Sequence, residues 1–267
     1  MSSWSKRYSP DSLEERRPEV IRALLPALQL LNRRYLHLQA DGFDALPDEP
    51  TLFVANHNGG IAGPDLSCTM ASLWEALGPD APLFALAHDA AMRQLTPFGR
   101  LMQKVGCLSA TPANARRALA SGASVLVYPG GDLDAYRLSA RRNEVVFGER
   151  QGFIRVALAS GVPIVPIVAQ GAHRSAWIFS EGKRLARALR MKSWARIERF
   201  PLAFALPWGF VAGPYLPYLP LPFPVRLRAL PAMRFPKDID PRKAREAVRS
   251  AMQRCLSALA RDAGDLP

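Results

Sequence analysis

Cysteine is scarce in this chain, acidic residues are outnumbered, and no long apolar run occurs. The only cysteines are Cys68, Cys107 and Cys255, and none stands in a Cys-x-x-Cys pair. That pattern argues against a disulfide framework and a zinc site and suits a reducing compartment. No stretch reaches the roughly 18 apolar residues of a spanning helix. The longest apolar region, residues 201–224, is interrupted by prolines and cannot be one straight helix. Met1 to Arg7 lacks the apolar centre of a secretory leader, so none is expected. The Gly-x-Ser-x-Gly elbow, the Walker loop and the Gly-x-Gly-x-x-Gly fingerprint are missing too. Serine hydrolase, NTPase and dinucleotide-binding readings therefore lack support.

Apolar residues make up 49% of the 267, enough for one substantial core. Lysine and arginine total 35 against 23 acids, a net charge of +12. Such a surplus suits an anionic partner: phospholipid headgroups, a phosphorylated co-substrate or nucleic acid.

Residues 1–17 are polar. From Pro18 onward Val20, Ile21, Leu24, Leu25, Leu28, Leu31 and Tyr35 recur at helical spacing. This predicts an amphipathic helix over 18–34, kinked or split at Pro26. With Arg22, Arg33 and Arg34 on its flank, it can pack on the core or lie in a lipid interface. Short apolar segments then alternate with helical ones. Strands are predicted at 35–39, 51–55, 82–87, 125–128 and 162–168, and helices at 65–77, 90–105, 113–120 and 151–160. The alternation predicts an α/β fold, a layered, largely parallel sheet flanked by helices. A closing helix over 240–262, started by Asp240 and Pro241, carries Val248, Met252, Cys255 and Leu259 as its apolar stripe. No repeat or linker divides the chain, so it reads as a single domain with its core over 35–235. Residues 183–199 hold seven cations and one acid, not gathered on one helical face.

The chemistry-bearing segments come in a fixed order. Asn56 and His57 leave the apolar run 51–55, and Asp65 follows. Tyr128-Pro129-Gly130-Gly131-Asp132-Leu133-Asp134 leaves a second strand, and Val162-Pro163-Ile164-Val165-Pro166-Ile167 builds a third. Histidine ordinarily titrates near neutrality, and open α/β sheets gather their sites at strand ends like the one before His57. Gly130 and Gly131 permit backbone conformations closed to other residues. Together these segments resemble the glycerolipid acyltransferases over roughly residues 35–235. The Pro-Gly-Gly turn is similar to the diacylglycerol-acyltransferase branch more than to the lysophosphatidate branch, which usually writes Phe-Pro-Glu-Gly. Two features depart from the family pattern. Seven residues separate His57 from Asp65, a longer insert than usual, and Asp134 stands where glutamate is usual.

The resemblance implies transfer of a fatty acyl group to a hydroxyl, with His57 as general base and Asp65 orienting it. It places Gly130, Gly131 and Asp134 around the acceptor, with Thr111 in the turn that opens the helix at 113. Arg137 and Arg150 follow as candidate ligands of a phosphate. Asp65 also reads as a helix cap. His88, beside Asp89, is an alternative base, and His173 is a further residue for the cleft. The implied donor is acyl-CoA or acyl carrier protein, a co-substrate rather than a cofactor, with no metal. The acceptor is a glycerolipid or another lipid alcohol. The charge and the helix at 18–34 imply a cytoplasmic protein, peripheral on the inner face of an anionic membrane. The apolar stretch 206–223, with Trp208, Phe210, Tyr215 and Tyr218, offers a foothold there. Two other readings stay open. One is a lysophosphatidate acyltransferase, favoured by the arginines; the other is a non-catalytic basic lipid-binding protein, motivated by the long insert. Nucleic acid is not an expected partner, since it explains the charge and none of the motifs.

Overall fold

The computed structural model describes residues 8–58, 63–89, 92–93, 96–194, 196–213 and 219–265. Its strands are β1 (Gln39–Asp41), β2 (Leu52–Ala55), β3 (Leu83–Ala87), β4 (Cys107–Ser109), β5 (Ser124–Val127), β6 (Ile164–Gln170), β7 (Trp177–Ser180), β8 (Leu202–Ala205), β9 (Gly209–Ala212) and β10 (Arg226–Ala229). Its helices are α1 (Pro18–Arg34), α2 (Pro64–Leu77), α3 (Thr96–Lys104), α4 (Pro112–Ala120), α5 (Asp132–Ala135), α6 (Gly152–Ser160), α7 (Lys183–Ala188), α8 (Met191–Trp194) and α9 (Pro241–Asp262).

Seven strands form the central sheet in the order β1-β10-β6-β2-β5-β3-β4. The run from β6 to β4 is parallel, and β10 pairs antiparallel with β6. β2 is covered on both faces, so it reads as a continuous apolar run rather than an alternation. Leu52 and Val54 point to a layer that contains α4, α6 and α9 residues, while Phe53 and Ala55 point to a layer with α1 and α2 residues. This parallel arrangement brings the ends of β2, β3, β4, β5 and β6 to one edge of the sheet. Every segment singled out for chemistry leaves from that edge.

Several local outcomes differ from expectation. α1 runs unbroken through Pro26, which lies on the exposed side. Water there can satisfy the carbonyl that the missing N–H leaves without a donor. α1 buries Ile21 and packs Val20, Leu25 and Leu28 against the core, but leaves Leu24, Leu30 and Leu31 exposed. The predicted strand at 35–39 moves to β1, because Tyr35 N still bonds the Leu31 carbonyl and closes the helix. In α9 the inward stripe is Ala244, Val248, Met252, Leu256 and Leu259, while Cys255 is half-buried beside it. Strands β4 and β7 to β10 were not expected. β7, β8 and β9 form a second, antiparallel sheet that carries its large side chains outward, against the usual pattern. Among the described residues, no helix is long and apolar enough to cross a membrane. Tyr215 and Tyr218 lie outside the described residues.

Candidate active site

His57 sits two residues past β2, at the centre of the sheet edge. Its Nδ1 lies 2.9 Å from Asp65 Oδ2, with the imidazole about one-eighth exposed (12%) and the carboxylate fully buried. A carboxylate can only accept, so Nδ1 carries the hydrogen and Nε2 of the neutral ring is left with its lone pair. The long segment between the two residues does not separate them. Residues 59–62 within it lie outside the described residues, but both ends are held. Asn58 N donates to the same Asp65 Oδ2 at 3.1 Å, and Pro64 opens α2 with Gly63 as its cap. Asp65 is therefore in the first turn of α2 but does not cap it. Its carboxylate faces the histidine, where the positive end of the helix favours a negative charge. Among the described residues Asp65 Oδ1 has no hydrogen-bond partner.

The backbone of His57 is fixed from the other side by the Pro-Gly-Gly segment. Asp134 Oδ2 accepts from His57 N at 2.5 Å, and Asp134 Oδ1 accepts from Val146 N at 3.0 Å and Arg137 Nη1 at 3.1 Å. Burial pushes the Asp134 carboxyl above its ordinary range; Arg137 and the two amides pull it back. The shorter aspartate suits this buried position, because it serves the histidine's main chain rather than an open cleft. Gly130 follows from the same packing. A Cβ there would stand 2.3 Å from both the Asp134 Cβ and the Val146 carbonyl. Gly131 has φ +48°, and a Cβ would meet Arg150 Nη1 at 2.5 Å. Gly130 thus makes room for Asp134 and the Val146 carbonyl, and Gly131 for the Arg150 guanidinium.

Arg137 requires a correction. It was expected to face a phosphate, yet its side chain is fully buried and every donor is engaged. Nε bonds the Arg141 carbonyl at 3.0 Å. Nη1 bonds the His57 carbonyl at 2.7 Å and the Asp134 carbonyl at 2.5 Å, and Nη2 bonds the Arg142 carbonyl at 2.6 Å and the Asn58 side-chain oxygen. The guanidinium is an internal strut that ties the histidine loop to the turn. Arg150 is similarly held: it reaches the Gly130 carbonyl at 2.7 Å and Asp132 Oδ1 at 2.6 Å, while part of its side chain stays exposed. Thr111 caps α4 by accepting from Asn114 N at 3.1 Å, three strands away from β2. His88 also leaves the sheet edge, but its neighbour Asp89 pairs with Arg196 at 2.6 Å.

Several site residues carried little signal in the sequence. Asn56 and Asn58 both donate to the Ala169 carbonyl, at 3.0 and 2.9 Å, and Asn56 also accepts from Ala169 N at 2.8 Å. They continue the β2–β6 ladder with side chains and so set the exit angle of His57. The Asn-x-Asn spacing around a strand-end histidine was the available clue. Tyr128 places its ring 5.0 Å from the imidazole, between centroids, at 48°. Its hydroxyl is buried without a well-formed hydrogen bond, and burial, then the Asp65 charge, raise its pKa far above the ordinary value. The tyrosine stays neutral and forms an amphipathic wall beside the imidazole.

His173 is buried behind this arrangement, with Nε2 donating to the Arg137 carbonyl at 2.9 Å. Burial, then the Arg137 charge, hold it well below the ordinary value of 6.5. The unfolded chain therefore binds a proton below that value which the native state refuses, so this residue lowers stability as pH falls. Denaturation midpoints should drop more between neutral pH and about pH 5.5 for the wild type than for His173→Gln, which keeps a donor but cannot titrate. Parallel pH slopes would mean that His173 protonates freely in the native state.

Comparison with known proteins identifies the family. The family model for Acyltransferase matches residues 37–170, half of the chain. An uncharacterized protein of Mycobacterium tuberculosis is 30% identical over 186 residues, covering 67% of this chain and 49% of its own length. The mouse DGAT1/2-independent enzyme synthesizing storage lipids is 25% identical over 221 residues, 83% of this chain and 59% of that protein. The chain thus spans about half the length of the curated relatives it matches. The crystal structure of the 1-acyl-sn-glycerophosphate acyltransferase PlsC from Thermotoga maritima superposes with a TM-score of 0.52 at 16% identity, over 89% of this chain and 81% of that one. That likeness establishes the shared fold. With the family model covering most of the central sheet, the histidine and the Pro-Gly-Gly turn, the chain belongs to the Acyltransferase family.

Proposed function

We propose that this protein is a lipid O-acyltransferase that moves a fatty acyl group from a thioester, acyl-CoA or acyl carrier protein, to the hydroxyl of a neutral glycerolipid or another lipid alcohol. The observation that carries this reading is the 2.9 Å bond from His57 Nδ1 to a fully buried Asp65, at the sheet edge where the family motifs meet. In this reading Nε2 takes the proton of the acceptor hydroxyl as its oxygen attacks the thioester carbonyl. The tetrahedral intermediate collapses, the C–S bond breaks, and the imidazolium returns its proton to the departing thiolate. Asp65 holds the ring in the tautomer this needs and stabilises the cation that forms. No covalent acyl-enzyme is involved.

The internal roles of Arg137 and Arg150 bear on the acceptor. They were the reason to consider lysophosphatidate, and both are held by carbonyls and carboxylates of the turn. A neutral acceptor therefore fits better than a phosphorylated one. The close His57–Asp65 contact likewise supports catalysis over a purely lipid-binding role, because the long insert leaves the pair intact. The test is to incubate the purified chain with labelled acyl-CoA and a panel of diacylglycerol, monoacylglycerol, fatty alcohol and lysophosphatidate. Ester on a neutral acceptor is the expected product. Phosphatidate as the main product would reverse the acceptor assignment, and no ester with any acceptor or with a carrier-protein donor would defeat the reading.

Asp65→Asn is expected to lower turnover less than removal of the imidazole, since the base remains and only its orientation and charge stabilisation weaken. Groups that act as a unit are not additive, so combining it with His57→Ala should add little. Losses that multiply in the double variant would place the role of Asp65 elsewhere.

A further inference from the structure

The second sheet departs from the rule that a strand pair buries its large side chains. Along β7, β8 and β9 the inward positions hold Ile178, Ala203, Ala205 and Val211, and the outward ones hold Trp177, Phe179, Phe204 and Phe210. The four aromatics are 64, 43, 52 and 62% exposed. Register aligns them: Trp177 is opposite Phe204, and Phe204 is opposite Phe210. Rings touch along the face, Trp177 to Phe179 at 6.2 Å and Phe179 to Phe210 at 5.7 Å between centroids. A contiguous aromatic face of this kind marks a surface that leaves water in use.

Charge decides what covers it. The connection from β7 to β8 runs through α7 and α8 and exposes Arg184, Arg187 and Arg190. Among the described residues none of these three is in an ion pair with an acid. A face of tryptophan and phenylalanine joined to uncompensated arginines matches a bilayer, which offers an apolar interior and an anionic headgroup layer at once. The sheet is also rooted at the catalytic edge. Ile178 N donates to Ser139 Oγ at 2.8 Å, and Glu198 N donates to Asp132 Oδ2 at 2.6 Å, beside the Pro-Gly-Gly turn.

We infer that the aromatic face of the β7-β8-β9 sheet, with the arginines of its α7 connection, docks the protein on an anionic lipid surface and sets the His57 edge beside the headgroup layer. This deepens the lipid-acyltransferase reading, from which it takes its biological sense, but its test is a binding measurement that needs no turnover. The full chain is sedimented with phosphatidylcholine vesicles, with and without phosphatidylglycerol, at low and high salt. The wild type should prefer the anionic vesicles and keep part of its binding at high salt. Trp177→Ser with Phe210→Ser should lower partitioning at least tenfold on both vesicle types. Arg184→Glu with Arg187→Glu, on an exposed helical surface where folding is not at stake, should remove most of the anionic preference and leave the salt-resistant part. Wild-type partitioning by both double variants, or no vesicle binding by the wild type, would overturn the inference. So would a dimer in solution that the aromatic substitutions dissociate, because the face would then be a self-interface.

Discussion

His57→Ala is expected to reduce acyl transfer by about 10²–10⁴-fold, the usual contribution of a positioned general base. The fold should survive, because the imidazole makes one side-chain hydrogen bond, and the main-chain bonds that fix the loop run through the His57 amide and carbonyl. Alanine keeps both. The loss should fall on kcat with little change in KM for the thioester, since the ring acts on the acceptor proton rather than on donor binding. The decisive measurement is steady-state kinetics beside a denaturation curve. A variant with near-normal turnover would make His57 structural. A variant that lost activity through unfolding would leave the base unassigned, and His57→Gln, which retains a polar side chain, would then separate the two cases.

Arg137→Met should be the most destabilising single change near the site. Removing one partner of a buried ion pair costs about 3–5 kcal/mol, because the other charge stays buried without it. Asp134 would keep its bonds from His57 N and Val146 N but lose the guanidinium. The carbonyls of His57, Asp134, Arg141 and Arg142 would lose their donor together. Against a typical domain stability of roughly 5–15 kcal/mol, this is a large fraction. Urea denaturation of the wild type, Arg137→Met and Arg137→Lys gives the test. Lysine restores the charge but cannot span six acceptors, so it should recover only part of the loss. Normal stability combined with a raised KM would show that the arginine faces substrate, as the sequence alone suggested.

The family could be read from the sequence because its signals are local. A buried parallel strand writes a continuous apolar run, a strand-end histidine stands beside asparagine, and a Pro-Gly-Gly turn punctuates the next strand. These are short-range patterns that survive without knowledge of the fold. The β–α alternation then implied a largely parallel sheet, which alone brings His57, Asp134 and His173 to one edge. Covalent order thus determined the fold class and singled out His57 and Asp65, which the fold brings within 2.9 Å of each other.

Tertiary structure decided which charged groups look outward. Arg137 is three residues from Asp134 in a basic stretch, and in sequence it is indistinguishable from the exposed Arg141 and the half-buried Arg142 that follow. Only the convergence of four loop carbonyls, the Asn58 amide oxygen and one buried carboxylate on a single point makes it a strut. The same holds for the glycines of the turn, whose neighbours Val146 and Arg150 are remote in sequence. It holds also for β7, β8 and β9. Their aromatics alternate with small residues as any half-buried strands do, and period-two alternation does not say which face is wet. The sheet's attachment to the His57 edge turns Ile178, Ala203 and Val211 inward and leaves the rings outside, because the long-range contacts that choose between the two faces exist only in the folded chain.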